Sequence, residues 1–155
     1  MWRDSVDYCK IEWFNLIMAI YIPTPFIIEE LVDEATFNKR GQRAWELLDD
    51  RLLVTLDRLR KRYGRMTINN WRWDGDRSWS GLRTKDSPWY SMYSQHTFGR
   101  AADIIFADYT AEQIRQDILD DPDHSDFEYI NSFEDGVSWL HIDVRNTNRI
   151  KVFKP

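Results

Sequence analysis

The sequence predicts an α+β domain, a central antiparallel sheet with helices packed on it, and three observations carry that reading. The chain has 155 residues, 43% of them hydrophobic and 15% aromatic, which is enough for one domain with a substantial core and too little for two. Helical periodicity dominates the middle of the chain. Short apolar strands follow one another toward its end, and helices followed by mostly adjacent strands are the order of α+β folds.

In residues 42–63, Trp45, Leu48, Leu52, Leu56, Leu59 and Tyr63 recur three or four apart, the period of one buried helical face. Asp49 or Asp50 is placed to cap a second helix inside this run, and Gly64 stands where a helix stops. MTINNW, residues 66–71, reads as a short strand. Residues 72–93, rich in Gly, Ser, Asp, Arg and Trp, read as a long loop of the kind that carries function. Residues 100–106 read as a buried strand, and Thr110 with Gln113 makes a capping box for a helix that uses Ile114, Ile118 and Leu119. Three further strands are expected at 127–133, 137–144 and 149–153, with Glu134-Asp135-Gly136 turning the first into the second.

Charge and composition exclude several functions. The net charge of −5 opposes nucleic-acid binding, which needs a surplus of cations to displace phosphate counterions. The single cysteine, Cys9, cannot close an internal disulfide and is too few for a thiolate zinc site. Any metal must therefore use His, Asp or Glu. The apolar stretch 14–28 is broken by Pro23 and Pro25 and is shorter than the ~20 residues that span a bilayer. Asp4, Asp7 and Glu12 ahead of it do not make a cationic leader. The expectation is a protein synthesised in the cytoplasm without a signal peptide and without membrane insertion.

Chemistry-bearing residues gather in two places. In SQHTFGRAAD, residues 94–103, His96 ends the long loop and Asp103 lies inside an otherwise apolar strand. Ala101, Asp103 and Ile105 share one side of that strand. An ionised Asp there needs a cation or hydrogen bonds to offset its burial. In WLHID, residues 139–143, Trp139, His141 and Asp143 share one face. If the two strands pair, two imidazoles and one carboxylate converge on one ion, and three such ligands with an open water position are the usual catalytic zinc arrangement. His124, in the Asp-rich segment DPDHSD, has no apolar strand around it and reads as exposed. Trp71, Trp73, Trp79 and Trp89 cluster ahead of His96, where they can wall a groove for a glycan-peptide polymer.

At SQHTFGRAAD and WLHIDVR the chain resembles the M15 metallopeptidases, which cleave peptidoglycan stem peptides as D-Ala-D-Ala carboxypeptidases or L-Ala-D-Glu endopeptidases. The resemblance extends to the LDDRLLVTLDRLRKRYG helix, the TINNW strand and the SGLR segment, so it covers roughly residues 22–153. It is nearest to small phage-borne members, some of which act as endolysins. It implies a hedgehog/D-Ala-D-Ala-peptidase-like fold over residues 18–155, since Met18 with AIYIPTPF resembles the start of related phage chains, and it leaves residues 1–17 as an extension. It further implies Zn2+ held by His96, Asp103 and His141. Arg83 matches the arginine that binds a substrate carboxylate or carbonyl oxygen, and Ser94 the serine beside the first ligand, a substrate or supporting contact.

One position departs from the family. Many members carry the general-base Glu three residues before the last His ligand, and here that residue is Ser138. A serine cannot take a proton from water at neutral pH. Asp143 is the first local candidate for the base, with orientation of His141 as its other reading, and Glu134 and Asp135 at the adjoining turn come next. The implied function is a zinc peptidase acting on peptidoglycan peptides at the bacterial cell wall, after release or as a virion component. The departure at Ser138 keeps open a non-catalytic, metal-stapled wall-binding or virion protein of the same fold.

Overall fold

A computed structural model describes residues 20–147 and 150–154; the expected extension, residues 1–17, lies outside them. Helix α1 (Glu34–Arg40) begins where the Asp33 carboxylate accepts the Thr36 amide at 3.0 Å. A 3-10 helix (Gly41–Leu47) continues into α2 (Asp50–Tyr63), which Asp49 caps through the Arg51 amide. The periodic run 42–63 is thus two helical pieces, and the cap expected at Asp49 is the break between them. α3 (Ala111–Asp120) starts with the Thr110 and Gln113 capping box.

Five strands form one sheet in the order β1-β2-β4-β3-β5, with β1 (Met66–Thr67), β2 (Ala101–Phe106), β3 (Ser132–Glu134), β4 (Leu140–Asp143) and β5 (Lys151–Phe153). The protein is therefore mixed α and β, as the sequence predicts. β1 with β2, β2 with β4 and β3 with β4 are antiparallel, but β5 joins β3 in parallel, so the sheet is mixed at that edge. One face of β2 and β4, with Ala102, Ile104, Leu140 and Ile142, enters the same core as Leu52, Leu53, Leu56, Leu59, Ile114 and Ile118 of the helices. The other face carries Asp103, His141 and Asp143.

Several expected strand limits shorten, each for a physical reason. β1 stops at Thr67 because the next stretch of β2 takes other partners: the Asp103 amide donates to Ser80 O at 2.7 Å and Arg77 donates to Asp103 O at 2.8 Å. Residues 127–133 are not one strand. A 3-10 turn (Ser125–Phe127) leads in, and Phe127 and Ile130 are buried three apart, a turn's spacing. Glu134 closes β3 instead of opening the turn. Residues 137–139 stand outside β4, held by the buried Arg115 of α3, which donates to both Val137 O and Trp139 O at 2.7 Å.

Between β1 and β2 the long Trp- and Ser-rich loop is fixed by the molecule around it. Ser80 N donates to Asn69 Oδ1, Asn69 donates to Val32 O, and the Trp71 indole donates to Val32 O at 2.8 Å. Leu82 N reaches Leu31 O at 2.8 Å. That approach requires glycine next door, because a Cβ on Gly81 would sit 2.2 Å from Leu31 O. Among the described residues, no helix is long and apolar enough to cross a membrane.

Candidate metal centre

The antiparallel register of β2 and β4 sets Asp103 directly opposite His141 and Ala101 opposite Asp143. His96 arrives from a different direction, on the turn that ends the long loop. There Ser94 Oγ accepts the His96 amide at 3.3 Å, and Gly99 bends the chain into β2 with φ +66°, where a Cβ would lie 2.0 Å from Leu47 O. Both histidines and Asp103 are buried, at 2%, 8% and 8% exposure for His96, Asp103 and His141.

Their donor atoms meet at one point. His141 Nδ1 lies 2.7 Å from Asp103 Oδ1, and His96 Nε2 lies 3.3 Å from both. A tetrahedral ion with bonds of about 2.0–2.1 Å to its ligands has ligand-to-ligand edges of about 3.3 Å, so two of the three edges already match and the third needs to open slightly. The outer ring nitrogens are also committed. His96 Nδ1 donates to Gly81 O at 2.7 Å, and His141 Nε2 faces Asp143 Oδ2 at 3.6 Å, an ion-pair distance. His96 Nε2 is then an inward lone pair, while His141 Nδ1, 2.7 Å from the Asp103 carboxylate, carries a proton that a metal ion would displace. The triad is a group that can hold a metal ion; among the described residues it is where three such ligand atoms lie within 4.8 Å of one another.

The charges around these atoms are uneven. Burial lowers the His96 pKa, against the pull of the Asp103 carboxylate. His141 is also opposed by burial, yet its hydrogen bond to Asp103 and the facing Asp143 raise it to about 9. Burial would raise Asp103, but the two imidazoles overcome it and hold its carboxyl well below the usual range. Without metal the site therefore holds its proton on His141, between two carboxylates.

Each expected site residue has a definite place. Arg83 Nη2 donates to Asp103 Oδ2 at 2.6 Å and Nε to Trp79 O at 2.8 Å, so the arginine braces the carboxylate while lining a cleft beside it. Ser94 supports the turn under His96. Asp143 is fully buried, clamped by two hydrogen bonds from the Arg145 guanidinium and one from its amide, and it faces the outer nitrogen of His141. That is the position of an orienting carboxylate; the inward donor atoms lie on the other side of the ring. Phe153 of β5 meets His141 edge-on at 5.6 Å and lies under Arg145. Trp139 precedes β4 and lines the cleft. His124 caps the turn at Ser125–Phe127.

The cleft, about 440 Å³, is lined by Asp103, Arg83, Glu134 and the indoles of Trp79, Trp89 and Trp139. Glu134 thus shares a cleft with the triad's carboxylate, which the sequence signalled only by proximity to the turn. Gly81 O, Arg77 and Arg115 are supports that sequence reasoning missed. Arg145, two residues beyond Asp143 and just past the end of β4, was missed as well. Comparison of the chain with protein-family models, curated proteins and solved structures finds no match to any of them.

Proposed function

We propose that the chain is a zinc-dependent peptidase that hydrolyses amide bonds in peptidoglycan stem peptides, a phage-borne relative of the M15 metallopeptidases acting at the bacterial cell wall, after release or as part of a virion. The observation that carries the reading is a buried His96, Asp103 and His141 group with its inward nitrogens unprotonated once metal replaces the proton, bordering an aromatic-walled cleft. Two imidazoles and one carboxylate favour Zn2+ over calcium or magnesium, which take oxygen ligands.

Zinc, when bound, supplies a Lewis acid that polarises a carbonyl and makes water ionisable near neutral pH. The protein does the rest. Glu134, in the cleft beside Asp103 and without an ion pair among the described residues, takes the proton of the attacking water and passes it to the leaving amine. Asp143 holds the His141 ring, and Arg145 holds Asp143. Arg83 keeps Nη1 without a bond among the described residues, aimed at a substrate carboxylate or the oxyanion that develops on the carbonyl. Trp79, Trp89 and Trp139 exclude water around the peptide.

The test is metal analysis of the purified protein together with mass spectrometry of muropeptides incubated with it. About one zinc per chain and a new amine and carboxyl terminus in the stem peptide are expected. Glu134→Gln is expected to keep zinc and lose about 10²-fold or more in rate. Zinc bound with no product released means a structural staple and a wall-binding or virion role instead.

A further inference from the structure

Arg83 lies between two hollows. One is the cleft with Asp103 and Glu134; the other, about 470 Å³, is lined by Lys39, Arg40, Lys85, Tyr90 and Arg83 itself, among others. Four cations face a single carboxylate there, Asp86, on a chain whose net charge is −5. A smaller hollow of about 290 Å³ continues the basic strip to Arg43 through the same Lys39 and Arg40.

Many of this acid-rich protein's cations are paired elsewhere, Arg51 with Asp49, Arg58 with Glu128, Lys61 with Asp57 and Arg62 with Asp126 among them. Lys39, Arg40 and Lys85 make no ion pair among the described residues. The C-terminus of α1 accounts for a preference for Lys39 and Arg40, because its carbonyls attract cations. It does not account for Lys85 and Arg83, which come from another segment to the same wall. Asp86 is one carboxylate among these cations, and of them Asp103 pairs only Arg83, so Lys39, Arg40 and Lys85 leave a surplus of positive charge that suits an anion from outside.

We propose that this hollow is a subsite for a carboxylate-bearing residue of the peptide, bound next to the residue whose amide bond lies in the neighbouring cleft. The assignment rests on the peptidase reading for what occupies that cleft. A compact carboxylate suits it better than a polyanionic polymer, because the chain's net charge of −5 repels extended negative charge. Ala35, Leu47 and Leu82 add apolar wall for the aliphatic part of such a residue.

The experiment is calorimetric titration of the zinc-loaded full chain with two stem peptides, one with free carboxyl groups and the same peptide with those groups amidated, at low and high salt. The free form is expected to bind about tenfold tighter, with the preference shrinking at high salt. The triple variant Lys39→Gln, Arg40→Gln, Lys85→Gln is expected to bring the two affinities together. All three side chains are exposed, and an unchanged thermal midpoint verifies that the variant folds. Equal affinity of the wild type for both peptides, no binding of either, or a preference that survives the triple substitution overturns the proposal. Binding needs no turnover: a carboxylate preference without cleavage sinks the peptidase reading alone, and cleavage without the preference sinks the subsite alone.

Discussion

His96 and His141 sit with their rings 5.1 Å apart and offer one nitrogen each to the same point, yet they are built differently. His96 stands on a loop turn, presents Nε2 and rests its other nitrogen on a neutral carbonyl, Gly81 O. His141 stands in a strand, presents Nδ1 and rests its other nitrogen against a carboxylate. Both are buried, and burial alone would lower both. Only His96 is lowered. The negative groups around each ring, more than its depth, decide which imidazole carries the proton in the metal-free protein and which must surrender one when metal binds.

The strongest way to break this contrast is to remove the carboxylate both rings share. Asp103→Ala leaves the part-buried Arg83 without its ion-pair partner and His141 with Asp143 alone, and is expected to cost about 3 kcal/mol of metal-free stability along with zinc retention. Denaturant unfolding and metal analysis check both. Asp143→Asn acts on the His141 side alone: an orienting carboxylate predicts zinc affinity weakened about 10- to 100-fold, with activity recovered in excess zinc. If rate is lost at full zinc occupancy, Asp143 is the base and Glu134 is not.

Gly81→Ala tests the His96 side. The new Cβ collides with Leu31 O, so the Gly81 carbonyl shifts away from His96 Nδ1. A neutral acceptor holds the ring less strongly than a carboxylate, and the expected loss in zinc affinity, measured by competition with a chelator, is smaller, about tenfold. A further readout is pH dependence. His141 has a folded pKa of about 9, above its ordinary value of 6.5. Its contribution to metal-free stability is therefore complete below pH 6.5 and is lost as pH rises through about 9. The midpoint of metal-free protein is expected to drop by roughly 10 °C across that window, and by less in Asp143→Asn.

The meeting of His96, Asp103 and His141 was legible because it depends on local rules. A carboxylate in an apolar strand and a histidine in another announce themselves, and a two-residue alternation fixes which face they take. The caps at Asp49 and Thr110 were legible for the same reason. What stayed hidden depends on distant backbone. Nothing in MTINNW says that Ser80 and Arg77 will occupy β2 beyond Thr67, so the strand reads too long. Glu134 beside a glycine looks like turn chemistry until β5 pairs with β3 and extends the strand through it. The orienting carbonyl of Gly81 carries no side-chain signal at all.

Phe153 against His141 has a consequence for the protein's birth. His141 and the aromatic ring packed against it are made late relative to the rest of the triad: the loop with His96 and the strand with Asp103 emerge some forty residues earlier. Parallel pairing of β5 with β3 adds a late contact at the sheet edge. Helices α1 to α3 can gather during synthesis, before the triad is complete. Until His141 has been made, Asp103 has the partners that precede it in the chain, Arg83 and His96.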